Sequence, residues 1–234
     1  MRQLSFLLAL CLALCCPLPV IAAKKTKTVY HRVNTEEKIV AITFDDGPHP
    51  KYTEMILDIL AKYDAKATFF VIGKNLEQYG RITRRAAEEG HEIGNHTYTH
   101  AALSPLDRAQ LEREILDSEG LIAECIGKSP TLFRPPGGGT SLLVEQIVSG
   151  GGDKIILWDV DTRDWAGRKS ADIVKTVMEN TVPGSIILFH DYAVHESATV
   201  EALKEILPRL SAAGYRFVTV TELLSYAVTA GGGD

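Results

Sequence analysis

The segment Ile39-Val40-Ala41-Ile42-Thr43-Phe44-Asp45-Asp46-Gly47-Pro48 decides how the rest of the chain is interpreted. Its apolar start, closed by turn residues, predicts a buried strand. The Asp-Gly-Pro sequence predicts a turn directly after that strand. Two adjacent carboxylates repel each other, so their position at a strand end indicates a nearby cation. Further along the chain, His96 and His100 offer two imidazoles as partners for such a cation.

Composition favours one globular domain. The chain has 234 residues, of which 45% are hydrophobic and 24% are charged, which is ordinary for a domain with a sizeable core. The formal net charge is -5, so no basic excess favours nucleic acid or an anionic membrane surface as a partner. Oligomeric state cannot be read from the sequence.

The N-terminus predicts a secretory signal peptide. Met1-Arg2-Gln3 is a positively charged start, the stretch 4–20 is apolar, and small residues precede Lys24-Lys25. An uncleaved membrane anchor is the alternative, but the apolar stretch is slightly short and prolines interrupt its end. We therefore expect an exported protein, periplasmic or extracellular, without stable membrane insertion after cleavage. The expected divisions are a signal peptide (1–23), a lead-in (24–37), one globular domain (38–226) and a flexible tail (227–234).

Cleavage would leave one cysteine. Cys11, Cys15 and Cys16 lie in the expected signal peptide, so the mature chain would have no intrachain disulfide. Cys125 follows a helical pattern beside Ile122, which predicts a buried apolar residue rather than a nucleophile.

Strand-like and helix-like segments alternate along the rest of the chain. About seven β/α units predict parallel strands with helices outside them. This count fits an incomplete or distorted (β/α)7 barrel better than an eight-unit barrel. In such folds functional residues lie at the carboxyl ends of the strands. The polar residues predicted at or just after strand ends are Asp45, Asp46, His96, Arg134, Asp161, Asp164 and His190.

Two local predictions concern the middle of the chain. Ser104-Pro105 is expected to begin the longest helix, with Ser104 as its N-cap, and Gly127 is expected to end it. Lys154 to Asp161 is expected to form one strand.

The spacing of His96 and His100 is compatible with a metal site. On a helical turn, residues four apart have Cβ atoms about 5–6 Å from each other, so both rings lie on one side. A carboxylate oxygen would complete three protein ligands and leave a position open, as in catalytic zinc sites. The alternative is that both are exposed loop histidines. One of the two aspartates would bind the metal while the other takes a proton from water.

Residues at or just after three more predicted strand ends carry side chains that can take part in a reaction. Arg134 would hold an aspartate ionised and oriented, and His190 would protonate a leaving amine. Asp161 and Asp164 would orient that imidazole or the guanidinium, unless both only cap the turn after their strand. Trp165 would form an apolar wall for a methyl group or a sugar ring. The alternatives are a surface arginine, a structural histidine and a core tryptophan. Of the remaining histidines, His49 is the one expected nearest the site.

Together these residues resemble the five ordered motifs of the polysaccharide deacetylases, the NodB-homology group or carbohydrate esterase family four. The resemblance spans about residues 38–191, and the domain is expected to continue to about 226. It implies a distorted (β/α)7 barrel and a metal-dependent hydrolase that removes acetyl groups from N-acetylated sugars. The matching motifs are Thr43-Phe44-Asp45-Asp46-Gly47-Pro48, His96-Thr97-Tyr98-Thr99-His100, Arg134-Pro135-Pro136, Asp161-Thr162-Arg163-Asp164-Trp165 and Leu188-Phe189-His190.

The resemblance implies roles for the residues around the two aspartates. Asp45 corresponds to the catalytic base, and Arg134 to the residue that orients it. Asp46, His96 and His100 correspond to the ligands of a divalent metal. Imidazole and carboxylate suit zinc, with cobalt, nickel or manganese as alternatives.

The resemblance also implies roles for residues on the opposite side of the site. His190 corresponds to the general acid, tuned by Asp164, with Asp161 as a second tuning candidate. Trp165 and Leu188 correspond to the lining of the acetyl pocket.

Gly137 is a departure from the family pattern. The family usually has an aromatic residue after the prolines of the third motif, and the backbone N–H there helps to hold the oxyanion. Glycine keeps the N–H but loses the ring and gains backbone freedom. A preorganised donor is typically worth about 10²–10³ in rate, so a loose loop would lower activity.

The sequence therefore predicts an exported, metal-dependent deacetylase of a chitin-like glycan, peptidoglycan or poly-N-acetylglucosamine. An O-acetyl esterase acting on xylan is a second hypothesis, because the same site would cleave an ester. A catalytically weak envelope protein that binds metal and glycan is a third, and Gly137 motivates it.

Overall fold

The structure is a computed structural model that describes residues 28–192 and 198–228, and these alternate between strands and helices. The strands in this part are β1 (Val29–Tyr30), β2 (Ile39–Asp45), β3 (Ala67–Val71), β4 (Glu92–Asn95), β5 (Leu132–Phe133), β6 (Lys154–Ile156), β7 (Val160–Asp161), β8 (Ile186–His190) and β9 (Arg216–Phe217). The α-helices are α1 (Tyr52–Lys62), α2 (Gly73–Glu88), α3 (Arg108–Ile126), α4 (Leu142–Gly150), α5 (Ser170–Asn180), α6 (Ala198–Ala212) and α7 (Val220–Ser225). The predicted signal peptide with Cys11, Cys15 and Cys16, and most of the predicted tail, lie outside the described residues.

The strands form one parallel, curled sheet. Their order is β1-β6-β5-β4-β3-β2-β8-β7, and β9 pairs with β2. Three residues separate β6 from β7 in the chain, although the two strands lie toward opposite edges of this order. The sheet must therefore curl until its edges approach. Counting β6 and β7 as one position, seven strands from β2 onward are each followed by a helix, which confirms the predicted distorted (β/α)7 barrel.

Strand β2 shows how the sequence pattern divides the two faces of the sheet. All seven residues of β2 are buried. Val40, Ile42 and Phe44 face outward and join the cluster that contains the apolar residues of α1 and α6. Because side chains alternate along a strand, Thr43 and Asp45 face the inside of the curled sheet. The core thus directs one carboxylate into the barrel interior.

The predicted start of the longest helix is wrong. The longest helix begins at Arg108 and its N-cap is Asp107, not Ser104. Asp107 accepts from the backbone N–H of Gln110, whose side chain bonds back to the Asp107 N–H. That reciprocal pair satisfies two free donors, which Ser104 would not do. Gly127 ends the helix in a left-handed conformation, as predicted.

The predicted strand from Lys154 to Asp161 is interrupted. Its first part pairs with β1 and β5, whereas Val160–Asp161 pairs with β8. The break has a physical cause, because closing the sheet requires the chain to exchange one set of strand partners for another. The predicted lead-in also contains β1, which extends the sheet beside β6.

Cys125 is half-buried rather than fully buried. Its thiol donates to the carbonyl oxygen of Gly80 at 3.2 Å, and burial raises the pKa of the thiol. A protonated, hydrogen-bonded thiol fits the predicted packing role and not that of a nucleophile. Within residues 28–192 and 198–228, none of the helices has the length and apolar character needed to cross a membrane.

Candidate active site

The carboxyl ends of neighbouring strands gather the predicted polar residues. In the strand register, Asp45 at the end of β2 lies beside His190 at the end of β8. Asn95 at the end of β4 pairs with Phe133, so His96 and Arg134 leave adjacent strands at the same level. Parallel strands present these ends at one mouth, which is where α/β barrels place their chemistry.

Asp46, His96 and His100 form a three-residue cluster with the geometry of a metal site. Their ligand atoms all lie within 4.8 Å of one another. Asp46 Oδ1 is 3.5 Å from His96 Nε2 and 3.3 Å from His100 Nε2. Two imidazole nitrogens and one carboxylate oxygen are ligands that zinc accepts, with room for a further position.

The ring orientation of His96 is compatible with a cation at this point. His96 Nδ1 lies 2.7 Å from the carbonyl oxygen of Arg134. A carbonyl oxygen only accepts, so Nδ1 carries the proton, and in the neutral ring the lone pair of Nε2 faces Asp46. Asp46 Oδ1 is buried and has no hydrogen-bond partner among the described residues. A buried carboxylate oxygen without a donor, facing imidazole nitrogens, fits a bound metal ion.

The charge states are those that metal binding requires. Burial acts to raise the pKa of Asp46, but the neighbouring imidazole of His96, with smaller contributions from His190 and His100, outweighs burial, so this pKa lies below its usual value. Burial lowers the pKa of His100 despite the opposing charge of Asp46. Near neutral pH this gives an ionised carboxylate and a neutral imidazole, each with a free lone pair.

The helical explanation for the histidine pair is wrong, although the pair does come together. Residues 96–100 are not helical, because Thr97 and His100 adopt left-handed backbone conformations with φ of 69° and 62°. Asn95 Oδ1 accepts from the Thr97 N–H, and Thr97 Oγ1 accepts from the His100 N–H. These local bonds fold the segment into a tight loop, and the two ring centroids lie 5.0 Å apart.

Arg134 holds Asp45 inside the barrel. The side chain of Arg134 is fully buried, and Nη1 donates to Asp45 Oδ1 at 2.7 Å and to Thr43 Oγ1 at 2.8 Å. Nε donates to the carbonyl oxygen of Ile156, and the guanidinium carbon lies 4.0 Å from the centroid of the Phe70 ring. Asp45 Oδ2 is 3.8 Å from His96 Nε2, so it faces the three-residue cluster without joining it.

His190 and Asp164 form a second charged pair across the mouth. His190 Nδ1 lies 2.7 Å from Asp164 Oδ1, and the His190 backbone N–H and Thr199 Oγ1 both donate to Asp164 Oδ2. Burial acts to lower the pKa of His190, but the hydrogen bond and charge of Asp164 raise it to about 9. The ring is therefore protonated at neutral pH, with Nδ1 committed to Asp164.

The other predicted residues take different positions. Asp161 Oδ1 accepts from the Arg163 N–H, and within the described residues its side chain forms no hydrogen bond or ion pair with His190 or Arg134. Leu188 is buried in β8, whereas Trp165 is 64% exposed just past β7. Gly137 has φ of 64°, and a Cβ built on it would meet no atom within 4 Å. The position where the family usually carries a ring is therefore open space here.

Four polar residues of the site were not predicted from the sequence. Asn95 folds the histidine loop, Thr43 shares the guanidinium of Arg134, and Thr199 bonds Asp164. Asp191 is buried behind the site, and burial raises its pKa to about 7. A polar residue directly before or after a strand-end histidine was the available signal for Asn95 and Asp191.

Comparison with known proteins agrees with this geometry. The polysaccharide deacetylase family profile matches residues 32–152. A peptidoglycan-N-acetylglucosamine deacetylase of Bacillus cereus is 45% identical over 203 residues, covering 86% of this chain and 95% of that protein.

Solved structures give the same result. The crystal structure of a peptidoglycan N-acetylglucosamine deacetylase is similar with a TM-score of 0.83 and 36% identity, covering 86% of this chain and 94% of that one. A family 4 acetyl xylan esterase from Clostridium thermocellum, in complex with a cobalt ion, has a TM-score of 0.75 and 36% identity over 80% of this chain and 91% of its own. The chain therefore belongs to the polysaccharide deacetylases, the NodB-homology group or carbohydrate esterase family four, and is a hydrolase of that class.

Proposed function

We propose that this chain is an exported, metal-dependent enzyme that removes N-acetyl groups from peptidoglycan amino sugars, releasing acetate and a free amine. One observation carries the proposal. Asp45 is held by Arg134 beside, but outside, the three-residue cluster, and a protonated His190 stands across the same mouth. Amide hydrolysis needs a base and an acid in this arrangement.

A divalent metal, with zinc as the best match to the ligand set, would be held by Asp46, His96 and His100. When bound, it supplies Lewis-acid polarisation of the acetyl carbonyl and of the attacking water. Cobalt, nickel and manganese remain alternatives.

Asp45 acts as the base through Oδ2. Arg134 occupies Oδ1 and fixes the plane of the carboxylate, which leaves Oδ2 directed toward the cluster. Oδ2 takes a proton from the attacking water while the oxygen of that water bonds to the acetyl carbonyl carbon. The guanidinium remains in place and stabilises the carboxylate before the transfer.

His190 acts as the acid through Nε2, since Nδ1 is bonded to Asp164. Nε2 gives its proton to the amine nitrogen as the carbon–nitrogen bond breaks. The Gly137 N–H is the proposed backbone donor to the oxyanion, and Trp165 and Leu188 are the proposed lining of the acetyl pocket. Asp161 has no catalytic role in this proposal, and its carboxylate caps its own turn.

The relatives support the choice of substrate and compartment. The similar Bacillus cereus protein is named for deacetylation of peptidoglycan N-acetylglucosamine. Peptidoglycan lies outside the cytoplasm, which agrees with the export predicted from residues 1–23. The acetyl xylan esterase relative is the specific observation in favour of an O-acetyl esterase, because that protein shares the fold.

A catalytically weak binding protein is disfavoured, because the proposed base, acid and ligand positions all carry reactive side chains.

The proposed substrate is tested by acetate release from chitin oligomers, peptidoglycan, poly-N-acetylglucosamine and acetyl-xylan, each with and without chelator. We expect release from peptidoglycan, loss of release with chelator, and recovery on adding zinc. Release from acetyl-xylan alone would establish the esterase. Glycan binding without release from any substrate would establish the binding protein.

The roles of the two aspartates are tested by Asp45→Asn and Asp46→Asn. Asp45→Asn should lower kcat by about 10²–10⁴-fold, since a base typically contributes that factor, while bound zinc measured by mass spectrometry is retained. Asp46→Asn is the matched variant at the neighbouring position and should lose zinc. Wild-type activity in Asp45→Asn would contradict its role.

The pairing of His190 with Asp164 predicts the alkaline limb of the pH–rate profile. Activity should fall as the pH rises through about 9, because His190 loses its proton there. In Asp164→Asn the charge that raises the pKa of His190 is gone, so the limb should move to lower pH by about one unit or more. Asp161→Asn, in the same turn, should leave the limb in place. An unmoved limb in Asp164→Asn would rule out the tuning role.

A further inference from the structure

Asp191 is a buried acid that the proposed mechanism does not use. Its exposed fraction is 1%, and Oδ2 accepts from Thr53 Oγ1 at 2.6 Å. Oδ1 has no hydrogen-bond partner among the described residues. The backbone N–H of Asp191 donates to the carbonyl oxygen of Asp45 at 3.1 Å. A carboxyl group in this position is costly to bury, so its surroundings indicate what it does.

The carboxyl group of Asp191 lies directly against Gly47. A Cβ built on Gly47 would be 2.2 Å from Asp191 Oδ2 and 2.4 Å from Oδ1. No side chain fits there, so Gly47 and Asp191 pack as a close pair. Gly47 directly follows Asp46, the carboxylate of the proposed metal site. Asp191 therefore contacts the backbone next to a metal ligand.

Asp46 itself needs such support. Its φ is 78°, a left-handed conformation that costs conformational energy for a residue with a side chain. Such a residue persists where surrounding contacts hold it. Asn75 Nδ2 donates to the Asp46 carbonyl oxygen at 2.8 Å, and the Ile72 N–H donates to the Gly47 carbonyl oxygen at 2.9 Å. Both bonds lie on the α2 side of the turn.

Thr53 provides the support on the other side. Its Oγ1 accepts from the backbone N–H of His49 at 2.7 Å while it donates to Asp191. One hydroxyl thus joins the loop after Asp46, the first turn of α1 and the end of β8. His49 Nδ1 in turn accepts from the N–H groups of Lys51 and Tyr52, so the loop is bonded along its length.

We propose that Thr53 and Asp191 are positioning residues that hold the Asp46 turn in the geometry required for metal binding. The inference rests on the proposed metal site, and neither residue touches the substrate or the reacting atoms. The Thr53–Asp191 hydrogen bond holds the loop after Asp46 on the side of β8. The contact between Asp191 and Gly47 limits how far the Asp46 turn can move toward Asp191. Loss of the bond releases Asp46 from its left-handed conformation and weakens the ligand set.

The test measures zinc affinity of the whole protein by competition with a fluorescent chelator. Thr53→Val keeps the shape of the side chain and removes the hydroxyl, whereas Thr53→Ser keeps the hydroxyl. We expect Thr53→Val to bind zinc about 10–100-fold more weakly, the usual cost of losing an outer partner of a metal ligand, and Thr53→Ser to stay near wild type. At saturating zinc, KM for the glycan should be unchanged in Thr53→Val.

Thr83→Val is the matched control. Thr83 is a second buried threonine that lines the same small void as Thr53 and Asp191, and its hydroxyl has no partner among the described residues. Its replacement should leave zinc affinity unchanged. If Thr53→Val does not fold, Asp191→Ala removes the same bond from the other partner and should give the same loss.

Wild-type zinc affinity in a folded Thr53→Val or Asp191→Ala would overturn the proposal. An equal loss in Thr83→Val would also overturn it, because the effect would then reflect packing alone. A wild-type protein that binds zinc but releases no acetate would refute the proposed function and leave this inference standing. A wild-type protein that binds no zinc would refute both.

Discussion

The buried guanidinium of Arg134 is the interaction on which the rest of the site depends. A charged group with no exposed surface is tolerated only when its donors are paired. Asp45 and Thr43 accept from Nη1, backbone carbonyls accept from the other nitrogens, and the Phe70 ring lies beneath the plane. The carbonyl oxygen of Arg134 also accepts from His96. One residue thus fixes the proposed base, Asp45, with its side chain and a proposed metal ligand, His96, with its backbone.

The two adjacent aspartates acquire different chemistry from their backbones. Asp45 ends a regular strand, so its side chain points into the barrel toward Arg134. Asp46 turns into the left-handed region, so its carboxylate points to the two histidines instead. The contacts of Asn75, Thr53 and Asp191 around the following turn make that second direction stable. Two neighbours in sequence are therefore placed for the two proposed roles, proton transfer for Asp45 and metal binding for Asp46.

Much of the fold follows from local patterns. The apolar run that begins at Ile39 forms the buried strand that the pattern predicts, and Gly127 ends α3 as expected. The wrong predictions involve choices that local patterns do not resolve. Ser104 and Asp107 are both suitable caps, and the reciprocal bond with Gln110 selects Asp107. The break between β6 and β7 arises from closure of the whole sheet, which no short segment encodes.

In the site, too, local patterns predict some features, and contacts between distant residues determine others. Motifs at strand ends predict that Asp45, Asp46, His96 and His100 meet, and the structure brings them together. The helical reason given for the histidine pair is wrong, since side-chain bonds from neighbouring residues fold a loop there. The proposed role of Asp191 depends on its contact with Gly47, a residue distant in sequence. Local patterns identify reactive residues better than they identify the residues that hold them.

The most direct measurement is a crystal structure of the zinc-loaded protein with anomalous diffraction at the zinc edge. We predict one zinc ion bonded to Asp46 Oδ1, His96 Nε2 and His100 Nε2 at about 2.0–2.2 Å. We also predict that Asp45 stays hydrogen-bonded to Arg134 and outside the coordination shell. Zinc bonded to Asp45, or no zinc among these three residues, would contradict the separation of base and ligand.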